Sequence, residues 1–328
     1  DISLIESNSK TYIKNVIRLL PKHYFLYKNG KIKIYQYKNL GYLKKNNLKG
    51  FKQIMSDSID IRHRSDVNNA VSISGGLDST ILSLLSKKKF NPGFFFFSYK
   101  DSLDNKFINK LKKDFNTLKV VKYKRNEDNF LSYIKSIIIN DDVYYHTTLS
   151  VEKIYKSINS SGHRVNLEGQ GADELFFGYH QMYYDYLKKI PILKSYIEFK
   201  KIEKIIRNMG NDKENRSIPF NFTNILKFKL KNNFVLKLLF KKILIIGRYN
   251  RINTAKKLQS ELLEKKENHL HDIQKKFLHQ ATLPNILRIV DRNSMRHGVE
   301  VRLPYLDTRI IKYSLNLQST ELIDYNKS

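Results

Sequence analysis

Short apolar runs alternate with stretches of helical periodicity between residues 71 and 167. Their composition and the turn residues around them predict strands at 71–73, 94–97, 120–123 and 163–167. Apolar residues at helical spacing predict the intervening helices, near 77–85, 105–115, 129–139 and 151–158. Strands separated by helices pair in parallel, because each helix returns the chain to the same end of the sheet. The alternation predicts an α/β fold, with a doubly wound parallel sheet and helices on both faces.

The segments on either side of this region have a different pattern. Two β-rich runs flank Asn29-Gly30 and predict a hairpin, and a polar linker covers about 37–52. Residues 183–282 are helical in pattern, rich in Lys and without a motif. A last amphipathic helix is predicted over 283–297, with one apolar face formed by Leu283, Ile286, Leu287, Val290 and Met295.

The composition excludes several classes of protein. A length of 328 residues suggests about two domains. Cys is absent, which excludes disulfides, zinc fingers, iron–sulfur ligation and a cysteine nucleophile within this chain. No apolar run reaches the ~18 residues of a membrane-spanning helix. Because the chain starts at Asp1 without a secretory signal pattern, we expect a fragment or processed piece of a cytoplasmic protein.

The net charge of +29 is compatible with binding to nucleic acid or to an anionic membrane surface. However, the excess is mostly Lys dispersed among Asn and Ile, as in the products of AT-rich genomes, rather than Arg clustered with aromatic residues. We therefore do not expect nucleic-acid binding. Residues 234–249 form a basic amphipathic stretch that could lie on a membrane, although a core-facing helix with solvated lysines is the favoured interpretation.

Residues 74–79 read Ser-Gly-Gly-Leu-Asp-Ser and stand between a predicted strand and a predicted helix. A helix N-terminus offers unpaired N–H groups and a partial positive charge, and the two glycines let an anion approach the backbone. Asp78 would repel a bare phosphate, so the pattern indicates a cation, Mg²⁺, that bridges to phosphate oxygens. The alternative is an ordinary glycine turn with a helix cap.

Residues 168–174, Glu-Gly-Gln-Gly-Ala-Asp-Glu, again follow a predicted strand and open a helix. Because the carboxyl ends of the strands in a doubly wound sheet meet at one edge, both loops can line one crevice. Asp173 could then join Asp78 around one metal ion. The alternative is a capped helix with acidic residues in its first turn.

A third segment, residues 287–307, carries a regular charge pattern. Arg288, Arg292 and Arg296 recur every four residues and form a cationic stripe on one helix face. Asp291 lies beside the apolar face of the same helix. By itself, this pattern is more typical of a solvated basic helix face with a buried ion pair than of a functional site.

Together, the three segments resemble, in order, those of the asparagine synthetase family. Residues 71–79 resemble its first strand and SGGLDS loop, and 167–179 resemble its GEGADELFGGY segment. Residues 287–307 resemble its C-terminal segment of the form DRMSMAHSVEVRVPFLD. Residues 19–24 and the hairpin after them resemble the tail of the family's glutaminase domain.

This resemblance implies a domain organisation. Residues 1–45 correspond to the glutaminase tail and linker, and 53–328 to an ATP-binding synthetase domain, with 183–282 as its helical part. The implied fold is the adenine-nucleotide hydrolase-like, PP-loop ATP pyrophosphatase type. The oligomeric state stays open, and a homodimer is one arrangement that the sequence allows.

The resemblance also implies an activity: a carboxylate substrate, aspartate first, attacks ATP to form an acyl-adenylate, and glutamine-derived ammonia then displaces AMP. Residues implied in holding pyrophosphate and Mg²⁺ are Ser74, Gly75, Gly76, Asp78 and Ser79, with Asp173 as the second metal carboxylate. Those beside the adenosine are Ser72, Glu168 and Gly169. Those implied at the reacting centre or in the substrate-side helix are Gln170, Asp291 and Arg292.

Several positions depart from the family's usual pattern. Gln170 stands where the family usually has Glu, which is suited to assist ammonia attack, and a neutral amide cannot take a proton. Glu168 replaces the usual Ser, Asp141-Asp142 replaces Glu-Pro, and a family Lys that neutralises phosphates normally lies just beyond Ser328. An amide ligase for a sugar acid, a peptide or a β-amino acid therefore stays open. A further alternative is a basic nucleic-acid-binding or RNA-modifying protein with the same loop. The resemblance of the third segment, residues 287–307, argues against it.

Overall fold

The structure, a computed structural model, describes residues 9–11, 14–21, 23–37, 50–99, 109, 112–123, 148–209, 222–232, 269–280, 282–317 and 319–322. In this part of the chain the strands are β1 His23–Lys28, β2 Lys31–Gln36, β3 Asn69–Ile73, β4 Gly93–Tyr99, β5 Lys119–Tyr123, β6 Val165–Leu167 and β7 Glu300–Arg302. The helices are α1 Phe51–Arg62, α2 Leu77–Lys89, α3 Thr148–Ser160, α4 Ala172–Phe176, α5 His180–Lys189, α6 Ile192–Met209, α7 Phe222–Asn232, α8 His269–His279, α9 Thr282–Arg296, α10 Thr308–Leu315 and α11 Ser319–Leu322, with a 3₁₀ helix at Pro304–Leu306.

A five-stranded parallel sheet has the strand order β5-β4-β3-β6-β7. In the central strand, Val71 lies opposite Phe94 on one side and Leu167 on the other. From β3 the chain first winds outward through β4 and β5. It later returns to the other side of β3 and winds outward through β6 and β7. The predicted doubly wound parallel sheet is therefore confirmed.

Helices cover both faces of this sheet. On one face, α3 and α9 enclose a core that includes Ala70 and Phe95 of the sheet. On the opposite face, Lys87 of α2 lies over the ring of Phe115, which packs against Phe94. Because successive strand residues point to opposite faces, Phe94 and Phe95 serve the two layers. A strand buried on both sides needs a continuous apolar run, which explains the four consecutive phenylalanines at 94–97.

The N-terminal hairpin is also confirmed. Strands β1 and β2 pair antiparallel, with Lys28 opposite Lys31. Asn29 has φ 51° and Gly30 has φ 73°. Positive φ at both central residues is the geometry that favours Asn-Gly in two-residue hairpins.

Helix α1 was missed by the sequence analysis, which assigned a polar linker to about 37–52. Residues 38–49 lie outside the described part of the chain, but the helix already begins at Phe51. Its buried residues Ile54, Met55, Ser58 and Ile59 occur at helical spacing. The signal was therefore present, but Ser58 interrupts the apolar pattern.

The prediction for the last helix is confirmed at Thr282–Arg296, with one error. Leu283 and Val290 are buried, whereas Met295 is 57% exposed. At the helical advance of about 100° per residue, Met295 lies about 120° from Leu283 around the axis. It therefore lies off the apolar face to which it was assigned.

The chain forms two compact units, residues 1–175 with 277–316, and residues 176–276 with 317–328. The core of the second unit includes Met182, Leu187, Phe199, Ile202 and Ile225. The predicted helical pattern over 183–282 is confirmed where it is described, apart from a turn at Ile190 and Pro191. The helix predicted at 129–139, the stretch 234–249 and most of 105–115 lie outside the described residues. Among the described helices, none combines the length and hydropathy that crossing a membrane requires.

Candidate active site

Two glycine-containing loops meet where the winding of the sheet reverses. The loop that follows β3 leads toward β4, whereas the loop that follows the adjacent strand β6 leads toward β7 on the other side. Loops that diverge in this way leave a crevice at the carboxyl ends of the two strands, where open α/β sheets bind ligands. Within the first unit, the crevice holds a cavity of about 370 Å³.

The cavity is lined by nine of the residues that the sequence predicted for the site. These are Ser72, Ser74, Gly76, Asp78, Ser79, Glu168, Gly169, Gln170 and Asp173. Gly75 lies within the same loop, with φ 89°. The rest of the wall is largely apolar and comes from Ile73, Phe97, Val151, Ile154, Tyr155 and Val290.

The first loop is closed by its own serine hydroxyl groups. Ser79 Oγ lies 2.9 Å from Ser74 Oγ and accepts a hydrogen bond of 3.1 Å from the Ser74 backbone N–H. The Gly76 N–H donates to Ser74 Oγ at 3.3 Å. Gly76 is also the N-cap of α2, and no side chain caps that helix. An uncapped helix N-terminus that opens at a ligand cavity is suited to bind an anion.

Asp78 and Asp173 bring two carboxylates to this cavity. Burial, and then the nearby charge of Asp173, raise the pKa of Asp78 to about 6. Burial also raises the pKa of Asp173. Of the described residues that line the cavity, none is Lys, Arg or His. Within the described lining, no cationic side chain therefore compensates this negative charge, although the whole chain carries +29.

This donor set fits Mg²⁺. Protein sites for Mg²⁺ commonly supply only one or two carboxylates, while water and substrate phosphates complete the coordination. Within the described ranges, no group of three or more His, Cys, Asp or Glu side chains that could hold a metal ion occurs.

Two close approaches fix the second loop, one against the first loop and one against Leu306. A Cβ on Gly169 would lie 3.2 Å from the Ser79 backbone nitrogen, and a Cβ on Gly171 would lie 2.3 Å from Leu306 Cδ2. Gly171 also has φ +96°, which other residues rarely adopt. In addition, the Tyr305 hydroxyl donates to the Asp78 carbonyl at 3.2 Å. Neither Gly171 nor Tyr305 was among the site residues predicted from the sequence.

Glu168 is the centre of a buried hydrogen-bond network. Its Oε1 accepts from the Tyr155 hydroxyl at 2.7 Å and from Asn166 Nδ2 at 2.8 Å. Its Oε2 lies 3.4 Å from Gln170 Nε2. The Asn166 amide also donates to Ser72 Oγ at 2.9 Å. Burial raises the pKa of Glu168, although hydrogen bonds from its three partners act in the opposite direction.

Tyr155 and Asn166 were missed by the sequence analysis. Tyr155 lies among apolar residues of α3, where an aromatic side chain indicates core packing, and Asn166 occupies the middle of a short strand. Neither belongs to a recognisable motif. Tyr155 approaches Glu168 only because α3 covers the face of the sheet to which Asn166 of β6 and the following Glu168 point.

Two predicted site residues do not line the cavity. Asp291 and Arg292 are exposed on α9, although their neighbour Val290 contributes to the wall. From the predicted cationic stripe, Arg296 forms an ion pair of 3.3 Å with Glu152. The role of Asp291 and Arg292 toward a substrate stays a prediction.

The remainder of the third segment anchors the end of β7 to α1. Arg302 donates to the backbone carbonyls of Arg62 and Arg64 at 3.0 and 2.6 Å. Asp307 pairs with Arg62 at 3.1 Å and with Arg309 at 2.9 Å. Burial alone would raise the pKa of Asp307, but the hydrogen bonds from Arg309 and Arg62 outweigh it and lower the pKa below its usual value. This part of the segment is therefore structural.

The fold and cavity together define an α/β protein with two carboxylates and an uncapped helix N-terminus at the switch point of a doubly wound sheet. The chain belongs to the asparagine synthase family, whose model matches residues 50–327. The resemblance inferred from the three sequence segments is thus confirmed.

The chain is also similar to a solved structure, the NH3-dependent NAD synthetase from Campylobacter jejuni subsp. jejuni NCTC 11168 in complex with the nitrate ion. The sequence identity is 15% and the TM-score is 0.28. The similarity covers 40% of this chain and 61% of that chain. No curated protein matches the chain in sequence.

Proposed function

We propose that the protein is an ATP-dependent amide ligase that forms AMP and pyrophosphate. In the first half-reaction, a substrate carboxylate attacks the α-phosphate of ATP, and pyrophosphate leaves. In the second, ammonia attacks the resulting acyl-adenylate, and AMP leaves as the amide forms. One observation supports this proposal most strongly. Asp78 and Asp173 line one cavity at the switch point, and an uncapped helix N-terminus opens at the same cavity.

Each wall of the cavity has a role in this proposal. Asp78 and Asp173 would hold Mg²⁺, which neutralises charge on the phosphates as the α-phosphate is transferred. The N-terminus of α2 and the loop that contains Gly75 and Gly76 would bind pyrophosphate. The apolar wall is suited to a purine ring, and Ser72, Glu168 and Gly169 would lie beside the nucleoside. Asp291 and Arg292 would act on the substrate side.

We infer that aspartate is the first candidate for the carboxylate and that ammonia derived from glutamine is the second substrate. Family membership supports this choice. An amide ligase acting on another acid is the second candidate. It is supported by Gln170 and by the buried carboxylate of Glu168, two changes at the wall of the cavity.

The deciding experiment is ATP–pyrophosphate exchange with a panel of acids that includes aspartate, sugar acids, a peptide and β-amino acids. We expect exchange that depends on Mg²⁺ and on one acid, with AMP rather than ADP as the nucleotide product. Exchange with a different acid but not with aspartate would favour the second candidate. Formation of ADP, or no acid-dependent exchange with any member of the panel, would contradict the ligase proposal.

A further inference from the structure

We propose that Glu168 accepts the proton that the attacking ammonia loses when the amide forms. This inference rests on the ligase function proposed above and names the residue that completes its second half-reaction. The need for such a group is chemical. Ammonia bonded to a carbonyl carbon carries a positive charge and must give up a proton before a stable amide can form, and a positioned base accelerates this step.

Few side chains at the cavity can take that proton. The titratable residues among the described lining residues are Asp78, Tyr155, Glu168 and Asp173. Asp78 and Asp173 would be engaged with Mg²⁺. Burial, together with the charge and hydrogen bond of Glu168, raises the pKa of Tyr155, so its hydroxyl stays protonated. Gln170 is a neutral amide and cannot serve as a base. Among the described lining residues, Glu168 is the carboxylate that remains.

The two oxygens of Glu168 have different surroundings. Oε1 accepts two short hydrogen bonds, from Tyr155 and Asn166, whose side chains are only 1% and 0% exposed. Buried partners of this kind fix the plane of the carboxylate. In the described part of the chain, Oε2 has a single hydrogen-bond partner, the amide of Gln170 at 3.4 Å. Oε2 therefore keeps the capacity to accept a proton.

The environment also favours a basic carboxylate. Glu168 is 7% exposed, and burial raises its pKa. A carboxylate whose pKa approaches the working pH is a more effective base than a solvated one. The hydrogen bonds from Tyr155, Gln170 and Asn166 oppose this rise, so loss of any one of them should raise the pKa further.

The step balances without a further reagent. The nitrogen lone pair of ammonia forms the bond to the carbonyl carbon of the acyl-adenylate. One proton passes from that nitrogen to Glu168 Oε2, and the bond from carbon to the phosphate oxygen breaks, so that AMP leaves with the electron pair. Glu168 then releases the proton to water, and the products are amide, AMP and one proton.

The test moves the carboxylate by two residues. Glu168→Gln removes it, and the double variant Glu168→Gln/Gln170→Glu restores a carboxylate at the neighbouring position on the same wall. Each protein is assayed with saturating acid and ATP for pyrophosphate exchange, and for amide formation across pH at one fixed concentration of unprotonated ammonia, so that titration of ammonium does not contribute to the profile. The two assays separate the first half-reaction from the second.

We expect Glu168→Gln to lower amide formation by about 10²–10⁴-fold more than it lowers pyrophosphate exchange, in which Glu168 only borders the nucleoside. The acidic limb of the pH profile of amide formation should disappear in this variant. Both the rate and the limb should return, at least in part, in the double variant. Amide formation in Glu168→Gln within about threefold of the wild-type rate would overturn the inference.

Tyr155→Phe covers the case in which Glu168→Gln does not fold. It leaves the carboxylate in place but removes one hydrogen bond, so the acidic limb of amide formation should move to higher pH. If Tyr155 and Glu168 were purely structural, Tyr155→Phe would lower the rates of both half-reactions without moving the acidic limb of the pH profile. This result would also overturn the inference. Absence of acid-dependent exchange in the wild-type chain is a different outcome, because it contradicts the ligase function itself and the inference with it.

Discussion

Replacing Asp78 by Asn should make the metal-free protein more stable and inactive at the same time. The pKa of the carboxyl rises from 3.8 to about 6 on folding, because it is buried and lies near Asp173. Between these values the folded state binds more protons than the unfolded state, so stability falls as the pH rises. The cost of ionising Asp78 is therefore absent below its unfolded pKa and complete above its folded pKa.

The size of this effect follows from the two pKa values. The rise corresponds to about 3 kcal/mol as an upper bound. Solvent screening of a partly exposed carboxylate reduces this to about 2–3 kcal/mol. The loss of a favourable interaction between Asp78 and the N-terminus of α2 offsets about 0.3–1 kcal/mol. We expect Asp78→Asn to raise the free energy of unfolding by about 1–2 kcal/mol at about pH 8, and by much less at about pH 4.

Urea unfolding in EDTA measures this difference at both pH values. Asp66→Asn is the matched control, since Asp66 is exposed and lies outside the cavity lining. The Asp78→Asn protein should also lose acid-dependent pyrophosphate exchange, because a neutral amide is a weak ligand for Mg²⁺. If the change in the free energy of unfolding did not depend on pH, the destabilisation could not be attributed to the ionised carboxylate of Asp78. Exchange within about threefold of wild type would refute the metal role.

Three further predictions test other parts of the molecule. Gly171→Ala should lower the free energy of unfolding by about 2–5 kcal/mol, because left-handed backbone costs about 1–2 kcal/mol and overpacking against Leu306 costs about 1–3 kcal/mol. In the control Gly162→Ala, φ is +82° but the added Cβ meets open space, so urea unfolding should show only the backbone cost. Equal losses in the two variants would contradict the packing argument. Gln170→Glu should leave pyrophosphate exchange nearly unchanged and amide formation equal or higher; loss of amide formation with aspartate would favour another acid as substrate. The purified chain should use ammonia but not glutamine, because it contains no Cys to attack the glutamine amide; amide formation from glutamine alone, measured by chromatography of the product, would contradict this.

Much of the candidate site could be predicted from the sequence because its parts are local. Each loop lies between a strand and a helix whose apolar periodicities differ, and its glycines and acidic residues are contiguous. The rule that parallel strands end at one edge then places Asp78 near Asp173. The two exposed residues Asp291 and Arg292 show the limit of this approach, because helical spacing alone does not reveal which face of α9 meets the cavity.

The sequence by itself determined the types of most elements, although not of α1 and β7, together with the Asn29-Gly30 hairpin and the two loops that bear carboxylates. Periodicity and turn chemistry are properties of a few consecutive residues, so they can be read along the chain. Only the tertiary structure decided the order of the strands and the hydrogen bonds of Tyr155 and Asn166 to Glu168. It also decided the contact of Tyr305 with Asp78, which are 227 positions apart in the sequence. The physical reason is burial, because the pKa values of Asp78 and Glu168 depend on which distant side chains exclude water from the two carboxyl groups.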